Sequence, residues 1–379
     1  FNTTPSIVFG PGRSNELAQL ANKLGSHVLV VTDPGLVKAG LVAPVVASLE
    51  NNGLVVTLFD EVVADPPEAL VLQATEAARR AQATGIIGLG GGSSLDVAKL
   101  VSVLSNDTVD IAEIYGIGNI RGGRLPLVLI PTTAGTGSEV TPISIITTGA
   151  HEKKGVVSPV LLPDVAVLDP ELTLGLPPAV TAATGVDAMV HAIEAYASAN
   201  ANNNPLSRGM ALQALELLFG NIREAVHQGS NRDARSAMLL GSLLAGQAFA
   251  NSPVAAVHAL AYPLGGHFGV SHGLSNALML PHVLRFNIET HPAIYAELAT
   301  KVLPGIDHLT ATEQAAHFIR YLEQLMGDVR LQTQLRELSI PREACRLLAE
   351  DAMKQTRLLV NNPRPVTQDD ALRIYEAAW

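Results

Sequence analysis

The first half of the chain alternates continuous apolar runs with stretches in which apolar residues recur every three or four positions. The run that fills most of 28–33 lacks polar alternation, which is typical of a parallel strand buried on both faces. By the same criteria we predict strands at 5–9, 55–59, 85–89 and 125–130, and helices at 14–24, at 36–51 and in the stretch that ends at 83. This strand–helix order predicts a mostly parallel, Rossmann-like sheet covered by helices.

From residue 178 onward the periodicity is helical throughout, with Pro or Gly in most of the intervening loops. We predict helices at 179–198, 205–227, 231–250, 253–264, 273–287, 292–302, 311–326, 330–337, 341–353 and 367–378. The sequence therefore predicts an α/β domain over residues 1–177 and an all-α domain over residues 178–379.

Two loops that directly follow predicted strands indicate phosphate binding. The glycine loop, Gly88–Lys99, lets the backbone approach a ligand, and the helix that follows offers free N–H groups to a pyrophosphate. Its spacing is not G-x-G-x-x-G, so a tight strand-to-helix turn is the alternative. The hydroxyl loop, Pro131–Thr141, carries more hydroxyl groups than a turn requires. Both loops lie at carboxyl ends of predicted parallel strands, where open α/β sheets bind ligands.

The predicted helix 179–198 presents Asp187 and His191 four residues apart, and therefore on one face. For an isolated pair, a capped or surface histidine is the commoner explanation. Two later histidines, His258 and His272, favour a metal site instead. Three imidazoles and one carboxylate suit Fe²⁺ or Zn²⁺ better than Mg²⁺ or Ca²⁺. An ion held in this way can act as a Lewis acid.

The composition narrows the possible partners. The formal net charge of −10 disfavours nucleic acid and anionic membranes as partners. No uninterrupted apolar stretch reaches 18 residues, so we expect no membrane span. Cys345 is the only cysteine, which excludes an intrachain disulfide and fits a cytoplasmic location.

Six stretches, at 90–99, 131–141, 169–173, 184–196, 258–266 and 281–287, resemble the motifs of the iron-dependent (group III) alcohol dehydrogenases, in the same order. The resemblance implies the two-domain architecture that this family shares with dehydroquinate synthase, with a dinucleotide-binding domain at 1–177 and a metal-binding catalytic domain at 178–379. It implies hydride transfer between NAD(H) and a small primary alcohol or aldehyde, with Fe²⁺ or another divalent ion as metal cofactor. It also implies a homodimer or a larger homo-oligomer.

The resemblance carries the family's site residues over to this chain. It implies that the metal ligands are Asp187, His191, His258 and His272. Asp33 stands where the family places the acid that favours NAD over NADP, although considered alone an acid before Pro34 and Gly35 is more often a turn former. Asp65 replaces a frequent Asn of the family. The expected NAD contacts are Asp33, Asp65, Gly91, Gly92, Ser93, Asp96, Thr132, Thr133, Thr136, Ser138 and Lys153.

One position departs from the family pattern and leaves the substrate class open. Tyr262 stands where many members have a second histidine, and its phenol is a candidate proton relay; His267 is a further catalytic candidate. The alternative functions are a hydroxyacid–oxoacid transhydrogenase and a short-chain hydroxyacid dehydrogenase of the 4-hydroxybutyrate type. A dehydroquinate synthase-like reaction requires a cationic cluster, and residues 179–290 contain no lysine. The intact ligand set and loops disfavour a non-enzymatic binding protein.

Overall fold

The computed structural model of the protein describes residues 1–17, 21–149 and 152–379. These residues divide into two compact units, Asn2–Gly175 and Leu176–Trp379, and Phe1 is grouped with the second. The first unit contains strands and helices, and the described part of the second is helical. This architecture is the predicted combination of a Rossmann-like part and an all-helical part.

The first unit is built on a parallel sheet. Its strands are β1 (Ile7–Phe9), β2 (His27–Val31), β3 (Val55–Phe59), β4 (Gly85–Gly90), β5 (Gly116–Ile117), β6 (Leu127–Pro131), β7 (Ile143–Thr148), β8 (Glu152–Val157) and β9 (Val165–Leu168). Within the described residues, six of them form one sheet in the order β1-β9-β6-β4-β2-β3, and every neighbouring pair is parallel. The chain moves outward from β2 to β3 and then returns to the other side of β2 with β4. The order of strands therefore reverses between β2 and β4.

Apolar side chains bury both faces of this sheet. Along β2, Leu29 and Val31 belong to one core cluster, whereas Val28 and Val30 belong to the other. The helices that cover the sheet are α1 (Ala21–Leu24), α2 (Pro34–Lys38), α3 (Val42–Asn51), α4 (Glu68–Arg80), α5 (Gly92–Asn106) and α6 (Ile111–Ile114). Burial on both faces explains why β2 reads as a continuous apolar run.

Some predicted boundaries in this unit need correction. The helix predicted at 36–51 is two helices, α2 and α3, and Gly40 between them has a left-handed φ of 73°. Of the helix predicted at 14–24, residues 18–20 lie outside the described residues, and the described part holds a 3₁₀ turn, Arg13–Asn15, and α1. Three further strands are not predicted from the sequence: β7 and β8, which pair antiparallel, and β9, which lies inside the main sheet.

The second unit packs helices against one another. They are α7 (Pro178–Ala197), α8 (Pro205–His227), α9 (Arg232–Asn251), α10 (Ala256–Phe268), α11 (His272–Ile288), α12 (Pro292–Val302), α13 (Ala311–Asp328), α14 (Ala344–Ala352), α15 (Thr356–Leu359) and α16 (Gln368–Ala378). The helix predicted at 330–337 is wrong, because only a 3₁₀ turn, Leu335–Leu338, forms there. No helix in the described part of the chain has the length and apolarity needed to cross a membrane.

Candidate metal centre and cofactor loops

The structure brings the four predicted metal ligands together within the helical unit. The potential donor atoms of Asp187, His191, His258 and His272 all lie within 4.8 Å of one another. Asp187, His191 and His258 are buried, whereas the side chain of His272 is 40% exposed. The cluster therefore has three interior members and one member at the surface of its own unit.

The first two members come from α7, which is buried on almost all sides from Thr181 to Ala197. Pro178 occupies the first turn, where a missing N–H costs nothing. Asp187 and His191 stand one turn apart and face the same way. Because α7 packs against α8, α9 and α11, it carries apolar residues on every side. A buried Asp and a buried His are therefore unusual on this helix.

The other two members come from consecutive helices. His258 lies in the first turn of α10, and His272 is the first residue of α11. Gly269, with a left-handed φ of 64°, ends α10 and turns the chain into α11. Gly273 then allows α11 to approach α7 closely, since a Cβ built there would lie 2.5 Å from the carbonyl oxygen of Ala183.

Glu194 orients one of the ligands. Its Oε2 lies 2.6 Å from Nδ1 of His258, and its Oε1 accepts a 2.6 Å hydrogen bond from the backbone N–H of Val257. Because a carboxylate only accepts, the proton of His258 sits on Nδ1 and Nε2 carries the lone pair. The sequence places Glu194, seven residues after Asp187, near the same face and favours a helix-stabilising or ligand-supporting role over ligation. The contact with His258 is such a supporting role.

Asn276, to which the sequence gives no role, contacts the centre directly. Its Nδ2 donates a 2.6 Å hydrogen bond to Oδ1 of Asp187. Burial alone would raise the pKa of the Asp187 carboxyl, but the three histidines and this hydrogen bond hold that pKa below its ordinary value. The centre therefore keeps an ionised carboxylate in a buried place.

Aromatic rings surround the ligands. The ring of Phe249 stacks on His191 with a centroid distance of 4.4 Å, and the ring of Tyr262 lies 6.0 Å from that of His272. His267 follows His258 by about 13 Å along the axis of α10. Its Nε2 pairs with the carboxylate of Asp351. Tyr262, rather than His267, is therefore the catalytic candidate that stands beside a ligand.

The predicted cofactor residues of the other unit gather at one edge of its sheet. Asp33 follows β2, Gly91 follows β4 and Thr132 follows β6, and these are three adjacent strands. A Cβ built on Gly90 would lie 3.5 Å from Oδ2 of Asp33, so the acid stands beside the glycine loop. The reversal of strand order between β2 and β4 is the position at which open α/β sheets bind ligands.

The glycine loop and the hydroxyl loop touch each other. A Cβ on Gly92 would lie 2.7 Å from Cγ2 of Thr136, and one on Gly91 would lie 3.6 Å from Cγ2 of Thr133. The N-cap of α5 is Gly91, so no N-cap side chain bonds to the first N–H groups of this helix. Ser93 lies in the first turn of α5. The first N–H groups of α5 therefore point out beside the hydroxyl loop, which is the arrangement that binds phosphate groups.

Asp96 and Ser138 form a hydrogen-bonded network under the loops. Ser138 Oγ donates to Asp96 Oδ1 at 2.6 Å, and Asp96 Oδ2 accepts from the N–H of Ile145 at 2.8 Å. The fully buried Lys99 donates to Ser138 Oγ at 2.7 Å and to the carbonyl of Ile143 at 2.7 Å. Burial lowers the pKa of Lys99 to about 8. This network ties α5 and the hydroxyl loop to β7.

Asp65 and Lys153, far apart in sequence, form an ion pair. Thr147 lies beside both residues: its side chain donates to the carbonyl of Asp65 at 3.0 Å, and it pairs with Lys153 between β7 and β8. Asp65 has a left-handed φ of 52°, a conformation that Asp and Asn tolerate better than most residues. Two of the predicted cofactor residues thus share one corner of the unit.

Comparisons with known proteins identify the family. Residues 4–170 match the family described as iron-containing alcohol dehydrogenase, and residues 181–379 match the C-terminal part of the Fe-containing alcohol dehydrogenase family. Long-chain-alcohol dehydrogenase 1 of Geobacillus thermodenitrificans is 42% identical, over 98% of this chain and 96% of its own length. A solved structure of 1,3-propanediol oxidoreductase has a TM-score of 0.96 at 35% identity, covering 100% of this chain and 99% of that one. Sulfoacetaldehyde reductase from Bifidobacterium kashiwanohense, solved with NAD⁺, has a TM-score of 0.88 at 29% identity, covering 100% and 98%.

The chain therefore belongs to the iron-containing alcohol dehydrogenase family. It is an oxidoreductase that links a metal and NAD to the interconversion of alcohols and aldehydes. The predicted fold, reaction class and family are confirmed. The alternative of a transhydrogenase or a hydroxyacid dehydrogenase receives no better support from the relatives.

Proposed function

We propose that Asp187, His191, His258 and His272 hold Fe²⁺ and that this centre catalyses NAD-linked reduction of a short aldehyde, and the reverse oxidation of a primary alcohol. The observation that carries the proposal is the convergence of four donor atoms within 4.8 Å. Three imidazoles and one carboxylate suit Fe²⁺ or Zn²⁺. A divalent ion there supplies Lewis acidity toward the substrate oxygen, and the nicotinamide supplies or accepts the hydride.

The chain's own groups fit such an ion. The buried carboxylate of Asp187 needs a compensating positive charge, and a divalent ion provides it. Because Glu194 accepts the proton of Nδ1 of His258 in a hydrogen bond, the lone pair of this imidazole lies on Nε2, which can bind the ion. The family membership supports iron, and the donor set is also compatible with zinc.

For the cofactor, we propose that the N–H groups at Gly91, Gly92 and Ser93 bind the pyrophosphate of NAD. Thr132, Thr133 and Thr136 supply hydroxyl donors from the neighbouring loop. Asp33 accepts hydrogen bonds from the adenosine ribose and repels a 2′-phosphate. The Asp65–Lys153 pair offers one acceptor and one donor to ribose hydroxyls. Ser138, whose hydroxyl bonds to both Asp96 and Lys99, holds the hydroxyl loop in place beneath the cofactor.

We propose a small, largely neutral substrate. Phe249 stacks on a metal ligand and gives the site an apolar wall. Among the arginines of 179–290, Arg235 bonds to Thr181, Arg223 to Asp328 and Arg285 to Glu323. These three guanidinium groups already have partners within the protein, so fewer cationic groups are available to bind an anionic substrate. We propose Tyr262 as the group that passes a proton to or from the substrate oxygen.

In line with the family resemblance, we also propose that the protein acts as a homodimer in the cytoplasm.

The test uses protein purified without oxygen and stripped with a chelator. Oxidation of NADH by a short aldehyde is followed before and after addition of Fe²⁺ or Zn²⁺. Activity that returns with the ion in wild type but not in His272→Ala, and that is unaffected in His282→Ala on the same helix, supports the proposal. Turnover by His272→Ala at wild-type rate with bound metal would overturn the ligand assignment. Turnover of a hydroxyacid–oxoacid pair without release of NADH would point to a transhydrogenase.

A further inference from the structure

The amide of Asn276 lies among the proposed ligands and turns toward them its nitrogen, which has no free lone pair for a metal. Asn276 is completely buried on α11. Its Nδ2 donates to Oδ1 of Asp187 at 2.6 Å and lies 3.2 Å from Nε2 of both His258 and His272. An amide N–H₂ group has two protons to donate and no available lone pair, so it acts on the carboxylate as a donor.

The position of Asn276 follows from helix geometry. Asp187 and His191 are four residues apart on α7, and His272 and Asn276 are four residues apart on α11. Each helix thus turns two polar groups in one direction. The two helices meet where Gly273 leaves no room for a side chain. Together with His258 from α10, the two facing pairs form one cluster of five residues, and Asn276 is the member that is not a proposed ligand.

The orientation of the amide is fixed by its neighbour. If Oδ1 of Asn276 took the place of Nδ2, two oxygens would face each other at 2.6 Å, which is repulsive beside an ionised carboxylate. With Nδ2 toward Asp187, Oδ1 is buried and has no hydrogen-bond partner within the described residues. A buried acceptor without a partner is unfavourable. The fold keeps it nonetheless, so the contact with Asp187 determines how this amide is placed.

We propose that Asn276 is a positioning residue of the metal centre, whose amide holds the Asp187 carboxylate in the orientation that binds the ion. The inference rests on the proposed metal site. It assigns no ligand role to Asn276. Because groups that orient metal ligands typically change metal affinity 10–100-fold when removed, loss of this donor should weaken binding by about that factor.

The test titrates the chelator-stripped, full-length chain with Co²⁺, whose visible absorption bands report the coordination geometry. Asn276→Leu has nearly the same shape and no donor, and it should bind Co²⁺ about 10–100-fold more weakly, with altered bands. Asn276→Ser keeps a short donor and should fall between the two, which covers the case in which the leucine variant does not fold. Asn287→Leu is the matched control, because Asn287 is a buried amide on the same helix that bonds to Tyr295 and Asn362. It should leave Co²⁺ affinity within about twofold of wild type.

Wild-type affinity and unchanged bands in both Asn276 variants would overturn the inference. Asp187→Asn separates this failure from failure of the metal site itself. If Asp187→Asn loses Co²⁺ binding while the Asn276 variants do not, the proposed metal site is supported and the positioning role of Asn276 is refuted. If Asp187→Asn binds Co²⁺ as wild type does, the proposed site is wrong and the inference falls with it.

Discussion

Glu194 and His258 are joined by a 2.6 Å hydrogen bond in which both side chains are buried. The second oxygen of Glu194 accepts from the N–H of Val257, so the carboxylate is held at both ends. The imidazole consequently has a single available tautomer, with Nε2 free of a proton. A histidine fixed in this way does not need to reorient when an ion binds, and this lowers the entropic cost of binding.

Replacing Glu194 with Gln should weaken metal binding about 10–100-fold. Gln keeps one oxygen, and its N–H₂ group cannot accept from either Nδ1 of His258 or the N–H of Val257. At least one of the two hydrogen bonds is therefore lost, and the tautomer of His258 is no longer fixed. Competition with a chelator of known affinity measures the effect.

Glu297→Gln is the control for this experiment. Glu297 accepts a 2.7 Å hydrogen bond from Tyr196 in the same unit, and it is not one of the four proposed ligands. It should leave metal affinity unchanged. Equal affinity of Glu194→Gln and wild type would show that the tautomer of His258 is set by something other than Glu194.

Part of the site could be predicted from the chain alone, because helical spacing is a local property. Asp187 and His191 are neighbours on any helix that contains both. The role of Asn276 depends on the crossing of α7 and α11, which is a long-range contact. No local pattern separates it from an ordinary amide four residues after a histidine. The family resemblance supplied the four ligands and not the groups that orient them.

The same difference between local and long-range information applies to the sheet. β2 was predicted because both of its faces are buried and its sequence is a continuous apolar run. β9 has only four residues, follows Pro163 and Asp164, and is stabilised by pairing with β1 and β6. The helical spacing of apolar residues at 330–337 predicts a longer helix, but only the 3₁₀ turn Leu335–Leu338 forms there. Tertiary contacts decide such short elements.

Asp33→Asn should relax the preference for NAD over NADP. Oδ1 of Asp33 caps α2 by accepting from the N–H of Leu36 at 3.1 Å. Asn caps a helix as well as Asp does, so the substitution removes the charge and keeps the helix. Two charges about 5 Å apart near a surface interact by roughly 3 kcal/mol before screening by salt, so kcat/KM for NADPH relative to NADH should rise by at least about tenfold.

The matched control for Asp33→Asn is Asp110→Asn. Asp110 caps α6 in the same unit by accepting from the N–H of Ala112 at 2.9 Å. This variant should leave the ratio of NADPH to NADH efficiency as it is in wild type. An unchanged ratio in Asp33→Asn would remove Asp33 from the set of cofactor-selecting residues.

Glu139→Gln should lose less stability than wild type when the pH is raised from 5 to 7. Burial raises the pKa of Glu139 from 4.5 to about 7, and its Oε1 has no hydrogen-bond partner within the described residues. A raised pKa means that the folded state holds the proton more tightly than the unfolded state. The stabilisation from this group is complete below pH 4.5 and is lost as the pH rises through 7. The free energy of unfolding of wild type, relative to the variant, should fall by about 2 kcal/mol between pH 5 and pH 7.

Calorimetric melting of both proteins at the two pH values measures this difference. Glu76→Gln, which changes an exposed glutamate on α4, is the control and should follow wild type at both values. Parallel pH dependence of Glu139→Gln and wild type would mean that Glu139 does not titrate in this interval.

Tyr262→Phe should lower kcat about 100-fold with little change in metal content, if the phenol passes the proton that the reaction requires. The ring lies 6.0 Å from that of His272, so Phe preserves the packing and removes the hydroxyl. Tyr262→His places an imidazole with an ordinary pKa of about 6.5 at this position, and the pH profile of kcat should gain a limb near that value. Tyr321→Phe, which removes a hydroxyl that bonds to Arg223, is the control and should leave kcat unchanged. If Tyr262→Phe keeps wild-type kcat at every pH, the proton moves by another route, and solvent at the exposed side of His272 becomes the next candidate.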